Sequence, residues 1–296
     1  MKIHEKVLHT LTPLVVVGAL AGCGGGDGGD AAGGAAGGGA TEAPFDMATA
    51  GHVTGMVMFE GTAPADTPID MTSEPTCAAK HATPAMTESF KVSAGHLGDV
   101  FVYVKEGLEG MSFPVPAEAT LINQDGCQYL PHVSGVMVNQ TLTFQNSDGL
   151  LHNISASPTV NRGFNITQPV NMTTDRTLAQ PEVMVPIQCD VHGWMNSYVG
   201  VVAHPYHAVS NAGGTFDLRN LPPGEYVLEA WHSRLGTQEA TVTVATGQTA
   251  TVSFSFTEAM LANAVVPLGE PIDPHFHTPE ELAAAGYAPA VTGADQ

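Results

Sequence analysis

Short apolar runs separated by turn-forming residues recur through the middle of the chain. They are rich in Val, Met, Phe and Thr, as β-strands are, and five stand out, at 52–61, 100–106, 133–138, 141–147 and 197–204. In the run at 141–147, Leu142 and Phe144 alternate with Thr141, Thr143 and Gln145. This period of two predicts a strand with one buried face.

The pattern changes after residue 204. The stretch 213–257 contains apolar runs joined by "LPPG" and "ATGQ", which are typical turn sequences, and it predicts a small β-sandwich of three or four strands. We therefore predict an all-β protein with a β-sandwich at 46–204 and a small sandwich at 205–257.

A C-terminal tail, 258–296, follows. Thr278 and Glu281 form a capping box, with Pro279 at the first helical position, so a short helix is expected there. His275 and His277 precede it, but two imidazoles alone do not define a metal site.

The N-terminus has the features of a secretory signal. Lys2 and Lys6 precede an apolar run that is too short to span a bilayer and that ends at "LAGC" (20–23). This ending resembles the lipobox of bacterial lipoproteins, which implies that the signal peptide is 1–22 and that Cys23 is lipidated; an ordinary signal peptide is the alternative. Residues 23–45 are rich in Gly and Ala and predict a flexible linker. The protein is expected in the bacterial envelope, facing the periplasm or on the cell surface.

The charge balance is strongly acidic. Asp and Glu number 29 against nine Lys and Arg, which gives a net charge of −20. Nucleic-acid binding requires clustered cations, so this class of partner is excluded, whereas a basic protein partner suits the surface.

The cysteines divide into a pair and a single thiol. With Cys23 assigned to lipid, Cys77, Cys127 and Cys189 remain. Cys77 and Cys127 lie in loop-like sequence and are predicted to form a disulfide in an oxidising compartment. Cys189 would then be a free thiol that needs protection.

Cys189 lies in "CDVHGWM", which places a thiolate, an imidazole and a thioether on one short loop before a strand. Two imidazoles and a thiolate with a weak axial Met suit copper. The second imidazole would come from another loop, and "TLTFQNSDGLLHN" (141–153) offers His152.

The two segments together resemble the type 1 copper site of cupredoxins, with the short ligand loop of amicyanin. Cys189 follows His152 by 37 residues. The resemblance implies one copper ion, a Greek-key sandwich that carries an N-terminal β extension at 46–130, and His152, Cys189, His192 and Met195 as ligands. It also implies that Asn153 pins the two ligand loops together, that His192 forms the exposed edge for electron transfer, and that Gly193 and Trp194 belong to an apolar docking surface.

Other interpretations of these residues remain. Cys189 could be an ordinary buried thiol, zinc could replace copper, and a Cys–His nucleophile pair is a third reading, although it has no evident orienting carboxylate beyond Asp190. His132 could be a further ligand or a structural histidine, and His204 and His207 lie at the expected domain junction.

The stretch 213–237 resembles carboxypeptidase regulatory-like domains and the fibronectin-like domain of rhamnogalacturonan lyases, which share "F-x-L-x-x-(L/V)-P-P-G-x-Y-x-L". This resemblance implies that the second sandwich is immunoglobulin- or fibronectin-like. The catalytic part of a lyase is absent, and Tyr226 and Trp231 are expected in the core. The sequence thus predicts a lipid-anchored electron carrier that is not an enzyme and that serves an unidentified redox protein. The alternatives are a copper storage or delivery protein, and a module that binds glycan or protein.

Overall fold

The computed structural model describes residues 45–87 and 89–263, which contain eighteen β-strands and one short α-helix. The signal peptide, Cys23, nearly all of the linker, and the tail helix with His275 and His277 lie outside these residues. The first half of the described chain contains, in order, β1 (Gly51–Glu60), α1 (Pro75–Ala78), β2 (Val92–Ser93), β3 (His96–Leu97), β4 (Phe101–Glu106), β5 (Thr120–Asp125), β6 (Gln128–Leu130), β7 (Val133–Met137) and β8 (Leu142–Asn146).

The second half contains only strands, apart from a closing 3-10 helix at Glu258–Asn263; a matching 3-10 turn, Met47–Thr49, precedes β1. The strands are β9 (His152–Ala156), β10 (Phe164–Gln168), β11 (Thr173–Arg176), β12 (Glu182–Gln188), β13 (Asn196–Val202), β14 (His207–Val209), β15 (Thr215–Leu221), β16 (Gly224–His232), β17 (Gly236–Val244) and β18 (Thr249–Thr257). Among the described residues, no helix has the length and apolarity needed to cross a membrane.

The prediction of an all-β protein is confirmed. Each of the five apolar runs contains a strand, and the "LPPG" and "ATGQ" sequences connect β15 to β16 and β17 to β18. In β8, Leu142 and Phe144 are fully buried while Thr143 and Gln145 are not. Alternation therefore identified the buried face of this strand correctly.

Strands from both ends of the described chain build one of the two sandwiches, here called the terminal sandwich. One sheet has the order β15-β1-β3-β2, with β18 paired to the other edge of β1, and the facing sheet has the order β14-β4-β16-β17. β1 and β18 run parallel over nine residue pairs, from His52 opposite Thr249 to Glu60 opposite Thr257. Their apolar side chains share one core with β4 and β16.

The predicted boundary at residues 204 and 205 is therefore wrong for the N-terminal strands. Residues 46–130 were expected to extend the first sandwich. Instead, β1 pairs with β15 and β18, β4 pairs with β14 and β16, and β3 and β2 continue the sheet of β1. The physical reason is that β15, β16 and β18 leave unpaired backbone edges that need partners, and β1 and β4 supply them.

The other sandwich, called the inserted sandwich, consists of β5 to β13. Its sheets have the orders β10-β9-β12-β13-β7 and β11-β8-β5-β6. β13 pairs parallel with β7 and antiparallel with β12, so it is an interior strand of its sheet. The loop between β12 and β13 and the start of β9 consequently lie close together, because β9 also pairs with β12.

The two sandwiches meet at Phe101 of β4. Its ring packs with Val133, Tyr198 and Val202 of the inserted sandwich. A Cβ atom on Gly200 would lie 2.4 Å from the Phe101 ring, so only glycine permits this approach.

Glu182, at the start of β12, holds the loop that follows β9. Its carboxylate accepts hydrogen bonds from Thr159 N (2.5 Å), Thr159 Oγ1 (3.0 Å), Asn161 N (2.9 Å) and Asn161 Nδ2 (3.0 Å). Burial alone would raise the pKa of Glu182, but the hydrogen bonds from Asn161 and Thr159 lower it to about 2.

We expect Glu182→Gln to destabilise the protein by about 1–3 kcal/mol near neutral pH, since hydrogen bonds to a charged acceptor are lost. The folded pKa lies below the ordinary value of 4.5, so the stabilisation is present above that value and is lost as the pH falls towards 2. Urea unfolding near pH 7 and near pH 3 measures this, with the exposed Glu225→Gln as control. A difference between Glu182→Gln and wild type that does not shrink at the lower pH would contradict the prediction.

Candidate metal centre

Three predicted ligands converge at one end of the inserted sandwich. His152 begins β9, and Cys189 and His192 lie on the loop between β12 and β13. His152 Nδ1 is 2.9 Å from His192 Nδ1, and Cys189 Sγ is 3.8 Å from His192 Nδ1. One donor atom from each residue lies within 4.8 Å of the other two, and all three side chains are buried.

These distances fit a single metal ion. With a metal–nitrogen bond of about 2.0 Å and a metal–sulfur bond of about 2.3 Å, two donors of one ion can be at most ~4.0 Å apart if both are nitrogen and ~4.3 Å apart for nitrogen and sulfur. The separations between His192 Nδ1 and its two neighbours lie inside these limits. Since all three donor atoms lie within 4.8 Å of one another, the three side chains are a candidate ligand set for one ion.

Hydrogen bonds of its own backbone close the Cys189–Met195 loop into a compact turn. Cys189 N donates to Met195 O (3.0 Å), Met195 N donates to His192 O (2.9 Å), and His192 N lies 3.4 Å from Cys189 Sγ. Met195 is 1 % exposed and belongs to the same core cluster as Cys189. The turn thus brings Cys189 and His192 beside His152 and buries Met195 in the core.

Asn153 connects the two ligand loops. Its Oδ1 accepts from Asp190 N (2.5 Å), and its Nδ2 donates to Asp190 Oδ2 (2.9 Å) and to Asn165 Oδ1 (2.8 Å). Tyr129 adds a short hydrogen bond from its hydroxyl to Asn153 O. Asn153, which follows His152, is therefore hydrogen-bonded to Asp190, which follows Cys189, through both the oxygen and the nitrogen of its side-chain amide.

Asp148 is a residue of the site to which the sequence analysis gave no role. Its buried carboxylate lies 2.9 Å from His152 Nε2 through Oδ2, and it also receives Lys80 Nζ and the amides of Gly126 and Cys127. The available signal was its position four residues before His152, in "DGLLH".

Burial and hydrogen bonding shift the pKa values of His152 and Cys189 in opposite directions. Burial alone would lower the pKa of His152, but hydrogen bonds to Asp148 and Cys189 raise it. Burial would raise the pKa of Cys189, but the hydrogen bond to His152 and those from nearby backbone amides lower it, which favours the thiolate. The pKa of His192 is lowered, first by burial and then by His152.

A loop from the N-terminal part of the chain lies against the site. We call residues 67–87 the cap loop; its ends are joined by Thr87 N to Thr67 O (2.9 Å) and Ile69 N to Ala85 O (2.8 Å). Cys77 at its centre forms a disulfide with Cys127, with an S–S distance of 2.03 Å. Cys189 is the free thiol among the described residues.

The expected exposed edge of His192 is not found, since this residue is 3 % exposed. Its ring lies 5.2 Å from that of Trp194, whose Nε1 donates to Cys127 O (3.0 Å). Glu74 of the cap loop is close enough to act electrostatically on His192. The burial arises because the cap loop and the disulfide cover this end of the sandwich. A Cβ atom on Gly193 would meet nothing within 4 Å, and Val191 is also exposed, so the loop is open to solvent on either side of the buried His192.

The other histidines are not part of this cluster. His132 is buried, with Nδ1 3.3 Å from Asn196 O and its ring against Tyr198. His204 lies 2.8 Å through Nε2 from Val104 O, and His207 is in β14. The described residues that could hold a metal comprise the cluster above and a second group of Cys127, Asp148 and His152, in which Cys127 is disulfide-bonded.

One family model matches part of the chain. Residues 197–257 match the model of the carboxypeptidase regulatory-like domain. This match begins within β13 of the inserted sandwich and covers β14 to β18 of the terminal one. No curated protein matches the sequence.

Solved structures similar to the chain include copper proteins. A purple cupredoxin from Nitrosopumilus maritimus is 20% identical and covers 28% of this chain and 98% of its own, with a TM-score of 0.24. An amicyanin mutant in the Cu(I) form is 18% identical over 29% of this chain and 85% of its own, with a TM-score of 0.27. A copper-containing nitrite reductase from Thermus scotoductus SA-01 is 15% identical over 49% of this chain and 28% of its own, also at 0.27. At these TM-scores the likenesses carry no weight by themselves, and the fold rests on the strand pairing.

Proposed function

We propose that this protein is a lipid-anchored type 1 copper protein that carries single electrons in the bacterial envelope. The observation that supports it most is the convergence of His152 Nδ1, Cys189 Sγ and His192 Nδ1 within 4.8 Å, all on buried side chains. Two imidazoles with one thiolate form the donor set that copper prefers in such sites.

Four side chains have distinct roles in the proposed site. His152, Cys189 and His192 would hold the ion, and Met195 would be the weak axial ligand. Bound copper would supply one-electron chemistry between Cu(II) and Cu(I). Copper is favoured over zinc because structural zinc sites take four firm ligands, whereas this loop offers a thioether in fourth place.

The chain around the ligands would keep their arrangement the same in both oxidation states. Asn153 and Asp190 fasten the two ligand loops, and burial of the three donors excludes water. A site that does not rearrange loses little energy to reorganisation when an electron enters or leaves.

The location and partner follow from the rest of the sequence. Lipid on Cys23 would anchor the protein, and the linker would let the folded part move away from the membrane. With a net charge of −20, a basic redox protein is the partner that the surface would attract, and nucleic acid is not. The terminal sandwich would serve as a scaffold, and we assign it no enzymatic activity.

Visible absorption of the purified, copper-loaded protein tests the proposed function. An intense thiolate-to-copper band that disappears on reduction and returns on oxidation is expected. A protein that binds Cu(I) without such a band would be a storage or delivery protein, and one that binds no copper would be a binding module. Either result would replace the electron-carrier proposal.

A further inference from the structure

We infer that Asp148 is a positioning residue for the metal centre, which fixes the His152 imidazole and connects it to the cap loop. The inference rests on the proposed function, since it concerns how His152 is presented to the metal. It starts from the burial of the carboxylate, which is 0 % exposed, between His152 on one side and the disulfide on the other.

The hydrogen bond to Asp148 determines which ring nitrogen of His152 is free. Asp148 Oδ2 lies 2.9 Å from His152 Nε2, and an ionised carboxylate can only accept, so the proton resides on Nε2. Nδ1, on the side of Cys189 and His192, is then the ring nitrogen that a metal can use, and binding would displace any proton that it shares with Cys189. A metal-binding histidine needs this arrangement, and a carboxylate behind it also makes the imidazole a stronger donor.

All four partners of Asp148 are donors. Oδ1 receives Lys80 Nζ (2.9 Å) and Gly126 N (2.8 Å), while Oδ2 receives Cys127 N (2.7 Å) in addition to His152 Nε2. Asparagine has the same shape, but in either orientation its amide NH₂ would face two donors. The site therefore requires a carboxylate and not merely a polar side chain of this size.

Two of these donors belong to the covering structure. Lys80 is in the cap loop, and Cys127 is bonded through its sulfur to Cys77 of the same loop. Asp148 is thus the point at which the cap loop, the disulfide and a ligand histidine meet. Displacement of the cap loop would withdraw Lys80 and disturb the carboxylate that holds His152.

The variant Asp148→Asn tests this inference, with Asp175→Asn as the matched control. Asp175 is exposed on β11 and its carboxylate accepts from Thr143 Oγ1, so the control makes the same charge change in the same sandwich. Two quantities are measured. One is the copper dissociation constant, by competition with a chelator. The other is the tautomer of His152 in the metal-free protein, by nitrogen NMR of the imidazole.

We expect Asp148→Asn to weaken copper binding by about 10–100-fold and to reduce the fraction of His152 that carries a proton on Nε2. The control should match wild type in both. Wild-type affinity in Asp148→Asn, or an unchanged Nε2–H tautomer, would overturn the inference.

Two other outcomes can be told apart from these: wild type binds no copper, or Asp148→Asn does not fold. If wild type itself binds no copper, the proposed function fails, and the His152 tautomer alone decides whether Asp148 positions the ring. If Asp148→Asn does not fold, Lys80→Met replaces it, because Lys80 is partly exposed and three donors to Asp148 remain. A smaller loss of copper affinity in Lys80→Met than the loss expected for Asp148→Asn supports the link to the cap loop, and wild-type affinity overturns it.

Discussion

Copper-loaded Cys189→Ser is expected to be colourless and to bind copper far more weakly than wild type. The intense visible band of a type 1 site comes from charge transfer between a thiolate and copper, and a hydroxyl cannot supply it. Cys189 is 0 % exposed and its pKa is lowered, so the substitution replaces a soft sulfur donor whose ionised form is favoured with a harder hydroxyl donor. Absorption spectra and chelator competition at equal copper loading measure both effects.

Met195→Gln is the matched comparison on the same loop. A weak axial ligand mainly affects the reduction potential, so this variant should keep copper and colour, with shifted bands and a lower potential. Retention of the visible band in Cys189→Ser, or complete loss of copper in Met195→Gln alone, would show that the ligand assignment is wrong.

Removal of the disulfide in the double variant Cys77→Ala/Cys127→Ala is expected to cost about 4 kcal/mol of unfolding free energy. The bond closes a loop of 50 residues, and restriction of a loop of this length in the unfolded chain is worth that amount. The variant should also free the cap loop and make the His192 side chain accessible to solvent. Urea unfolding and hydrogen exchange at the loop measure the two consequences.

A reducing agent supplies the control for the double variant. It should destabilise wild type to a similar degree and leave the double variant unchanged, since no disulfide remains in its described residues. Equal stability of wild type and variant, with His192 still protected, would mean that packing of Met71 and the Lys80–Asp148 ion pair holds the cap loop without the covalent bond.

Local sequence patterns predicted the strands of this protein but not their partners. The alternation at 141–147 identified β8, because the period of two is a property of each strand alone. The pairing of β1 with β18 joins residues that are nearly two hundred positions apart, and no local pattern specifies it. This is why β1 to β4 were assigned to the wrong sandwich.

For the candidate site, too, the local sequence predicted the residues themselves but not the distant segments that surround them. His152, Cys189 and His192 could be named from their spacing, and the structure brings them together because β9 and β12 are neighbours. The burial of His192 could not be predicted, since the cap loop that covers it lies more than a hundred residues earlier. Asp148 was overlooked for the same reason, because Lys80 and the amides around Cys127 give it its role.

The course of the chain between the two sandwiches has a mechanical consequence for the proposed electron transfer. The chain leaves the terminal sandwich after β4 and returns in β14, and these strands are hydrogen-bonded neighbours with His207 opposite Tyr103. The inserted sandwich is therefore attached at two adjacent points and is braced by the Phe101 contact. A body held in this way cannot swing about a single hinge. The distance from the proposed copper site to any point on the terminal sandwich would thus stay constant, because the two sandwiches move as one unit.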